Sequence, residues 1–485
     1  MSGVSIIAVF HQIRNWGARY FPDYLESTHL KRSREIYKKK DIEAVPASIP
    51  AETQRVALKQ VFAAEFYTPA HAARLFGAFE KLGWSSPDTS PFRMDAAERV
   101  TRSRRRFDAM WLNLGTIVPP GTKRVFRDAT VCDLPKGFVA AHANFFSISP
   151  SLSCIVVAFD ANTETEERFD NIARSPLGTK LTRIKRGFSI ARPRNVKQQA
   201  IGDARQSNRN DILSWFKTYL PGAFSTSESL ELLPTCELMF TDGLRACDDR
   251  TSNGLWREYL GLDYGLGGWD SSDMNGLTFV HPVSSQDRDQ GHSLLYIERS
   301  ALKRIENSTY GGDSDQAYIN RLSTDLPGFI GYWGIGALLR LYQEEISVVR
   351  DAGSSSVQSG DASGAVKRLQ RVTSNSIDIS LLASELPDAL RNVHWTGCDF
   401  FRKSGDEPPT SLVAASSQWS TELLERLGTS DRAIRDLLVQ QGNLINSLEA
   451  IASQRTMSRL TFAMTLLTVA IFILTAVMAV PVVYP

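Results

Sequence analysis

From Leu460 to Val480 the chain runs for 21 residues without a charge, the length a helix needs to cross the hydrocarbon core of a bilayer. Eleven of these residues are Leu, Ile, Val or Phe, and each favours insertion by about 0.3 to 0.6 kcal/mol near mid-membrane. A span in this position leaves nearly all of the chain on one side of one membrane. Arg455 and Arg459 flank its near side, while Pro481 to Pro485 carry no charge, so the positive-inside rule predicts that the bulk faces the cytoplasm. The competing reading is a buried core helix; the length and the basic flank argue against it. Near the N-terminus Val4 to Phe10 is apolar, but no basic residue precedes it, and a cleavable signal is not expected there.

A chain of 485 residues has room for two or three domains. The five cysteines (Cys132, Cys154, Cys236, Cys247, Cys398) and seven histidines show no metal-ligand spacing, so they are expected to be reduced and structural. The net charge of +2 hides a division: residues 1–220 hold 34 Lys+Arg against 21 Asp+Glu, and residues 221–485 hold 21 against 32. Such asymmetry calls for a partner to the basic half. The candidates are the acidic half of the same chain, an anionic lipid surface and nucleic acid. Within that half, Arg99, Arg102, Arg104, Arg105 and Arg106 run into Phe107 and Trp111, a pattern suited to an anionic surface. No nucleic-acid-binding module accompanies it, which argues against nucleic acid.

Taken in order, residues 1–111 read as a basic, mainly helical region. Lys31 to Lys40 lie on a solvated helix face, and Val56, Leu58, Val61, Phe62 and Phe66 recur with rough helical period. Thr68 and Pro69 start a further helix that Gly83 closes. Residues 112–325 read as an α+β region: Phe138 to Ile148 and Leu152 to Phe159 form a hairpin, and Ile184 to Ile190, Cys236 to Thr241, Leu277 to His281 and Leu294 to Glu298 are further strands. Residues 326–352, with Gly328, Gly331, Gly334 and Gly336 near the start, form a core helix with close backbone packing. Residues 353–364, with Ser at five of twelve positions, form a flexible linker, and residues 365–428 are helical up to a stop at Leu427 and Gly428.

Two stretches of the α+β region are possible sites. Trp215 to Phe224 is aromatic and reads as core and turn. The loops between Asp242 and Asp315 are rich in Asp, with Asp270, Asp273 and Asn275 as the nearest approach to a Ca²⁺ or Mg²⁺ ligand set, although EF-hand spacing fails. No phosphate loop, dinucleotide fingerprint, nucleophile elbow or kinase set is present. His292 and Ser293 are adjacent and cannot meet as a triad pair does. Nothing identifies a catalytic residue or a cofactor, and the balance leans away from an enzyme.

From Ser430 the apolar positions recur by sevens, with Leu437, Leu444 and Ile451 as one column, a stripe suited to a bundle or multi-stranded coil. Residues 430–459 form a stalk of about 45 Å at 1.5 Å per residue, continuing into the span 460–480. Within the span Thr461, Thr465, Thr468 and Thr475 fall near one face, which suits close helix approach. The junction, with Met457, Leu460 and Thr461, resembles CorA-type divalent-cation channels, in which a long cytosolic stalk helix enters the first membrane span. The resemblance implies a homo-oligomer joined through stalk and span. The family's Gly-Met-Asn signature is absent, its place taken by Val480 and Pro481, and no second span follows. The expectation is therefore an α+β cytosolic head on a helical stalk with a single transmembrane helix: a single-pass sensor, adaptor or effector at the membrane. The alternatives are a tethered enzyme using loops 242–315 and an oligomeric channel relative.

Overall fold

The computed structural model describes residues 10, 12–16, 28–84, 96–106, 110–122, 129–184, 187–227, 233–243, 254–260, 268–274, 276–281, 292–302, 314–359, 362–391, 397–402 and 409–483. They divide into two units, residues 1–341 with 381–424 and residues 342–380 with 425–485. The strands are β1 (Arg55–Tyr67), β2 (Met110–Val118), β3 (Thr130–Val131), β4 (Phe138–Ser149), β5 (Leu152–Ala161), β6 (Lys180–Ile184), β7 (Gly187–Ala191), β8 (Thr235–Asp242), β9 (Trp269–Ser271), β10 (Leu277–Val280), β11 (His292–Glu298), β12 (Phe400–Arg402) and β13 (Thr410–Ser411). The helices are α1 (Thr28–Ala44), α2 (Ala72–Lys81), α3 (Ala96–Arg106), α4 (Thr163–Arg174), α5 (Pro193–Tyr219), α6 (Ala223–Thr226), α7 (Gly254–Leu260), α8 (Arg299–Leu302), α9 (Asp315–Ser359), α10 (Ala362–Arg391) and α11 (Leu412–Val483).

Among the described residues the first unit holds a sheet of eleven strands in the order β13-β12-β9-β10-β11-β8-β1-β5-β4-β2-β3. It is mixed, because β8 and β11 run parallel, as do β2 and β3, while the other neighbours are antiparallel. Helices cover both faces. On one face Phe159 of β5 meets Trp215 and Phe216 of α5 at ring-centroid distances of 5.2 and 6.3 Å, and Phe145 of β4 meets Phe79 of α2 at 6.2 Å. On the other, Phe329 of α9 packs on Phe279 of β10 and Phe400 of β12 at 5.2 and 4.5 Å. Each such fully buried ring stabilises the fold by about 1.5 to 3 kcal/mol. The chain is thus α+β with a large mixed sheet.

The central strand β1 is the main departure from the sequence reading, which took Val56 to Phe66 as helical. Ten of its residues in succession, Leu58 to Tyr67, are buried, whichever face they point to. A strand covered on both sides loses its period-2 alternation, and its apolar run then resembles a buried helix. The hairpin of β4 and β5 forms as the sequence indicates, paired from Phe138 opposite Ala161 to Ser149 opposite Leu152, with register shifts between Phe138 and Ala140 and between Ser147 and Ser149. The run read as one strand from Ile184 to Ile190 is instead divided between two paired strands, Ile184 ending β6 and Gly187 opening β7.

Three helix boundaries also differ. Helix α9 begins at Asp315, before Pro327, because Ser314 caps it: its hydroxyl oxygen accepts from Ala317 N at 3.2 Å. The stretch 353–364, expected to be a linker, is helical up to Ser359 and again from Ala362, since extending a formed helix through Ser costs only about half a kcal/mol per residue. Gly428 lies inside α11, where a Cβ would meet nothing within 4 Å. Thr429 donates back to Glu425 O at 2.9 Å, as a residue inside a continuous helix does. Of the close packing expected along this helix, Gly334 provides an instance, for a Cβ there would stand 3.0 and 3.1 Å from the Phe66 ring.

The second unit consists of helical segments of α9, α10 and α11. Tyr342 Oη donates to Asp378 Oδ2 at 3.1 Å, Ser376 Oγ donates to Asp431 Oδ2 at 2.9 Å, and Arg435 pairs with Asp431. Asp378 and Asp431 are each only 2% exposed. Buried carboxylates of this kind are kept by such partners, since an unpaired one is expensive to bury.

Candidate functional site

The strongest functional feature among the described residues is the stretch Thr456–Thr475 of α11, with a mean hydropathy of 1.9 and none of it buried. The helices of the first unit hide their apolar faces against the sheet. Here Leu460, Phe462, Met464, Leu467 and Phe472 are 59 to 74% exposed, on every side of the helix. A helix that is apolar all round and uncovered by protein has a surface matched to hydrocarbon. Thr461, Thr465, Thr468 and Thr475 each donate to the carbonyl four residues back, at 2.7 to 2.8 Å. Their hydroxyl protons are therefore satisfied inside the helix, as an apolar medium requires. Leu437, Leu444 and Ile451 lie on the same helix, with side chains outside the described residues.

The Asp-rich loops offer less than their composition suggests. Asp270 on β9 accepts from Thr278 Oγ1 at 2.7 Å, Asp273 sits in a turn where its amide donates to Ser271 Oγ at 3.2 Å, and Asn275 lies outside the described residues, as do Asp287, Asp289 and Asp313. At the ends of the region, Asp242 and Asp315 both pair with Arg299, at 3.3 and 3.5 Å, and Asp315 also pairs with Lys59 at 3.1 Å. Among the described residues no three His, Cys, Asp or Glu side chains group as a metal site requires.

The basic half finds partners in the acidic half. Lys59 with Asp315, Arg205 with Glu237 at 2.9 Å and Arg194 with Glu258 at 3.7 Å all join residues before 220 to residues after it. The arginine run lies on α3, which buries Val100 and Ser103 while leaving Arg102 and Arg105 exposed and Arg104 half-buried. The side chain of Arg106 is outside the described residues.

Two polar clusters in the sheet, the first half-buried at its Thr116 and His142 end and the second buried, escaped the sequence reading. In the first, Thr116 Oγ1 lies 3.3 Å from His142 Nδ1, His142 Nε2 lies 3.2 Å from Asp160 Oδ2, and Gln60 Nε2 donates at 2.6 Å to both Asp160 Oδ1 and Ser323 Oγ. This string crosses four strands and ends on α9, and it supplies the order hydroxyl, imidazole, carboxylate. In the second, Glu237 on β8 takes Arg205 Nε and faces His292, whose Nδ1 is 3.0 Å from Thr235 Oγ1. Burial pulls the Glu237 carboxyl up, but Arg205 and His292 outweigh it and hold it below the usual range. Burial lowers the His292 imidazole, against the pull of Glu237. Ser293, on the next position of the strand, bonds Thr235 O at 3.3 Å, so it and His292 do not act on each other. The partners in both clusters are 18 to 263 residues apart in sequence, and no local pattern links them.

The aromatic stretch at Trp215 is core, as read. Its turn carries a buried carboxylate from β1: Glu65 accepts from Phe66 N, Phe224 N and Ser225 N at 2.8 to 3.0 Å. A Cβ on Gly222 would stand 2.6 Å from Glu65 Cγ, so this position has room only for glycine. Burial pushes the Glu65 carboxyl up to about 7, although these hydrogen bonds pull it down. Cys132, Cys154, Cys236 and Cys398 are free and buried, and burial raises each thiol, which makes them inert structural residues. No protein-family model and no curated protein matches this sequence.

Proposed function

We propose that this chain is a single-pass membrane protein anchored through its C-terminal helix, with an α+β head that works at the membrane surface as a sensor, adaptor or effector. The observation that carries the reading is the uncovered apolar stretch Thr456–Thr475, because water tolerates such a surface poorly and a bilayer matches it. Arg455 and Arg459, which flank the near end of the charge-free run that starts at Leu460, support a cytoplasmic head. The uninterrupted helix from Leu412 to Val483 supports a stalk that enters the membrane without a break. An oligomer joined through stalk and span, the arrangement of the CorA-type channels, is the form of this reading that the heptad column Leu437, Leu444 and Ile451 favours. The tethered-enzyme reading draws no support from Asp242 and Asp315, which arginine and lysine occupy.

Deletion of Leu460 to Pro485 tests the anchor. The truncated protein is expected in the soluble fraction with its far-UV and near-UV circular dichroism retained. Retention in membranes after a high-salt wash would show that another segment holds the chain there. In a protease-protection assay on sealed vesicles, an accessible head on the cytoplasmic side is expected, and protection of the head would reverse the orientation.

A further inference from the structure

The first turn of α5 opens onto a cavity of about 620 Å³, a size typical of small-molecule sites. Its wall includes Lys40 and Asp41 of α1, Arg192, Arg194 and Asn195 at the start of α5, and Glu258 of α7. Three cations thus face two carboxylates, and both carboxylates are engaged. Asp41 accepts from Thr179 N at 2.8 Å and from Thr179 Oγ1 at 2.5 Å, while Glu258 stands 3.7 Å from Arg194. Among the described residues Arg192 and Lys40 have no ion-pair partner; the Lys40 ammonium lies over the ring of Tyr37, 5.6 Å from its centroid.

The backbone adds to this field. Helix α5 is 27 residues long, its N-cap Arg192 supplies no side-chain cap, and Pro193 at the first position has no N–H. The first helical bond runs from Val196 N to Arg192 O at 2.9 Å, so the amides of Arg194 and Asn195 are left as donors at the positive end of a long helix. A separate observation points the same way. One turn further on, Lys197 is 0% exposed, and among the described residues its ammonium bonds the carbonyls of Ser48 and Ala173, at 3.0 and 2.6 Å, and no carboxylate. A buried cation with no carboxylate, at the positive end of a helix, is an unbalanced charge. Ser48, which holds it, follows Ala47 of the cavity wall. Among the described residues Lys40, Arg192 and Lys197 thus carry positive charge with no carboxylate partner, and the first two line the cavity.

We propose that this cavity binds the phosphate group of a phosphate monoester, seated on the Arg194 and Asn195 amides and flanked by Arg192, Arg194 and Lys40. Several acceptor oxygens and a double negative charge match a set of amides and guanidinium forks better than a single carboxylate does. The cavity is much larger than a bare phosphate and leaves room for the organic portion. Such a group is offered both by soluble phosphorylated metabolites and by phosphorylated lipid headgroups, and the chemistry of recognition is shared.

The experiment uses the full chain in detergent micelles, titrated by calorimetry with glycerol 3-phosphate at constant ionic strength, and in parallel the full chain in nanodiscs with and without phosphatidylinositol phosphate. Saturable binding of the soluble ester identifies a free phosphorylated compound; binding confined to the phosphorylated lipid identifies a headgroup. In either case R192E and K40E, on two different elements, should each weaken binding about tenfold or more, while R102E on α3 leaves it unchanged. Circular dichroism of each variant confirms folding, and R192Q serves if R192E does not fold. Absence of binding in both arms overturns the proposal, as does binding that ignores R192E and K40E or follows R102E equally.

Discussion

Glu65 provides a quantitative test of how the sheet and the Trp215 turn are joined. Its carboxyl is fully buried and its pKa is raised from 4.5 to about 7, chiefly by burial. A folded-state pKa above the unfolded one means that the folded protein holds this proton more tightly. The stability associated with the protonated form is therefore complete below about pH 4.5, declines between 4.5 and 7, and is lost above 7. Raising the carboxyl from 4.5 to about 7 corresponds to about 3 kcal/mol, taken as an upper bound. E65Q removes the titration while keeping an oxygen for the Phe224 and Ser225 amides. Urea unfolding of wild type and E65Q in micelles, followed by tryptophan fluorescence from pH 4.5 to 8, isolates the term as the difference between the two proteins. Wild type is expected to lose stability relative to E65Q by up to about 3 kcal/mol as pH rises through 7. A difference that stays flat, or one in which wild type gains, would refute the reasoning and place the charge on Glu65 at no cost.

Further expectations concern packing, assembly and the surface. Because a Cβ on Gly334 would stand 3.0 Å from the Phe66 ring, G334L should lower stability by about 1 to 3 kcal/mol through overpacking, measured as a fall in the urea midpoint; an unchanged midpoint would mean that α9 does not lie this close to β1. A fragment from Ser430 to Pro485 should cross-link to itself in micelles, and replacing Leu437, Leu444 and Ile451 by Ser should abolish this; an uncross-linked fragment would remove the oligomeric reading. If the exposed arginines of α3 meet lipid, the protein lacking Leu460 to Pro485 should bind vesicles only when acidic lipid is present, more weakly in salt, and charge reversal at Arg104, Arg105 and Arg106 should weaken it further. Salt-insensitive binding, or none, would leave ion pairs such as Lys59 with Asp315 as the whole account of the charge division.

What the amino-acid sequence determined by itself is what depends on neighbours in the chain. The apolar stretch after Arg459 was legible because a charge-free run of that length is a property of consecutive residues, and the hairpin from Phe138 to Ala161 was legible because Ser149, Pro150 and Ser151 form its turn. Gly83 closed its helix with a positive φ of 69°, as its position indicated. Tertiary structure decided the rest. Arg55–Tyr67 is a strand because β5 and β8 take its backbone hydrogen bonds while helices cover both its faces, so its pattern alone cannot distinguish it from a helix. Glu65, Gln60 and Lys197 are polar residues in apolar surroundings, and only the fold supplies the amides that donate to the first and the carboxylate and carbonyls that accept from the other two. The cavity at Arg192 is likewise assembled from α1, α5 and α7, segments separated by up to about two hundred residues; its charge is written in the sequence, but the convergence of that charge on one helix end is a property of packing.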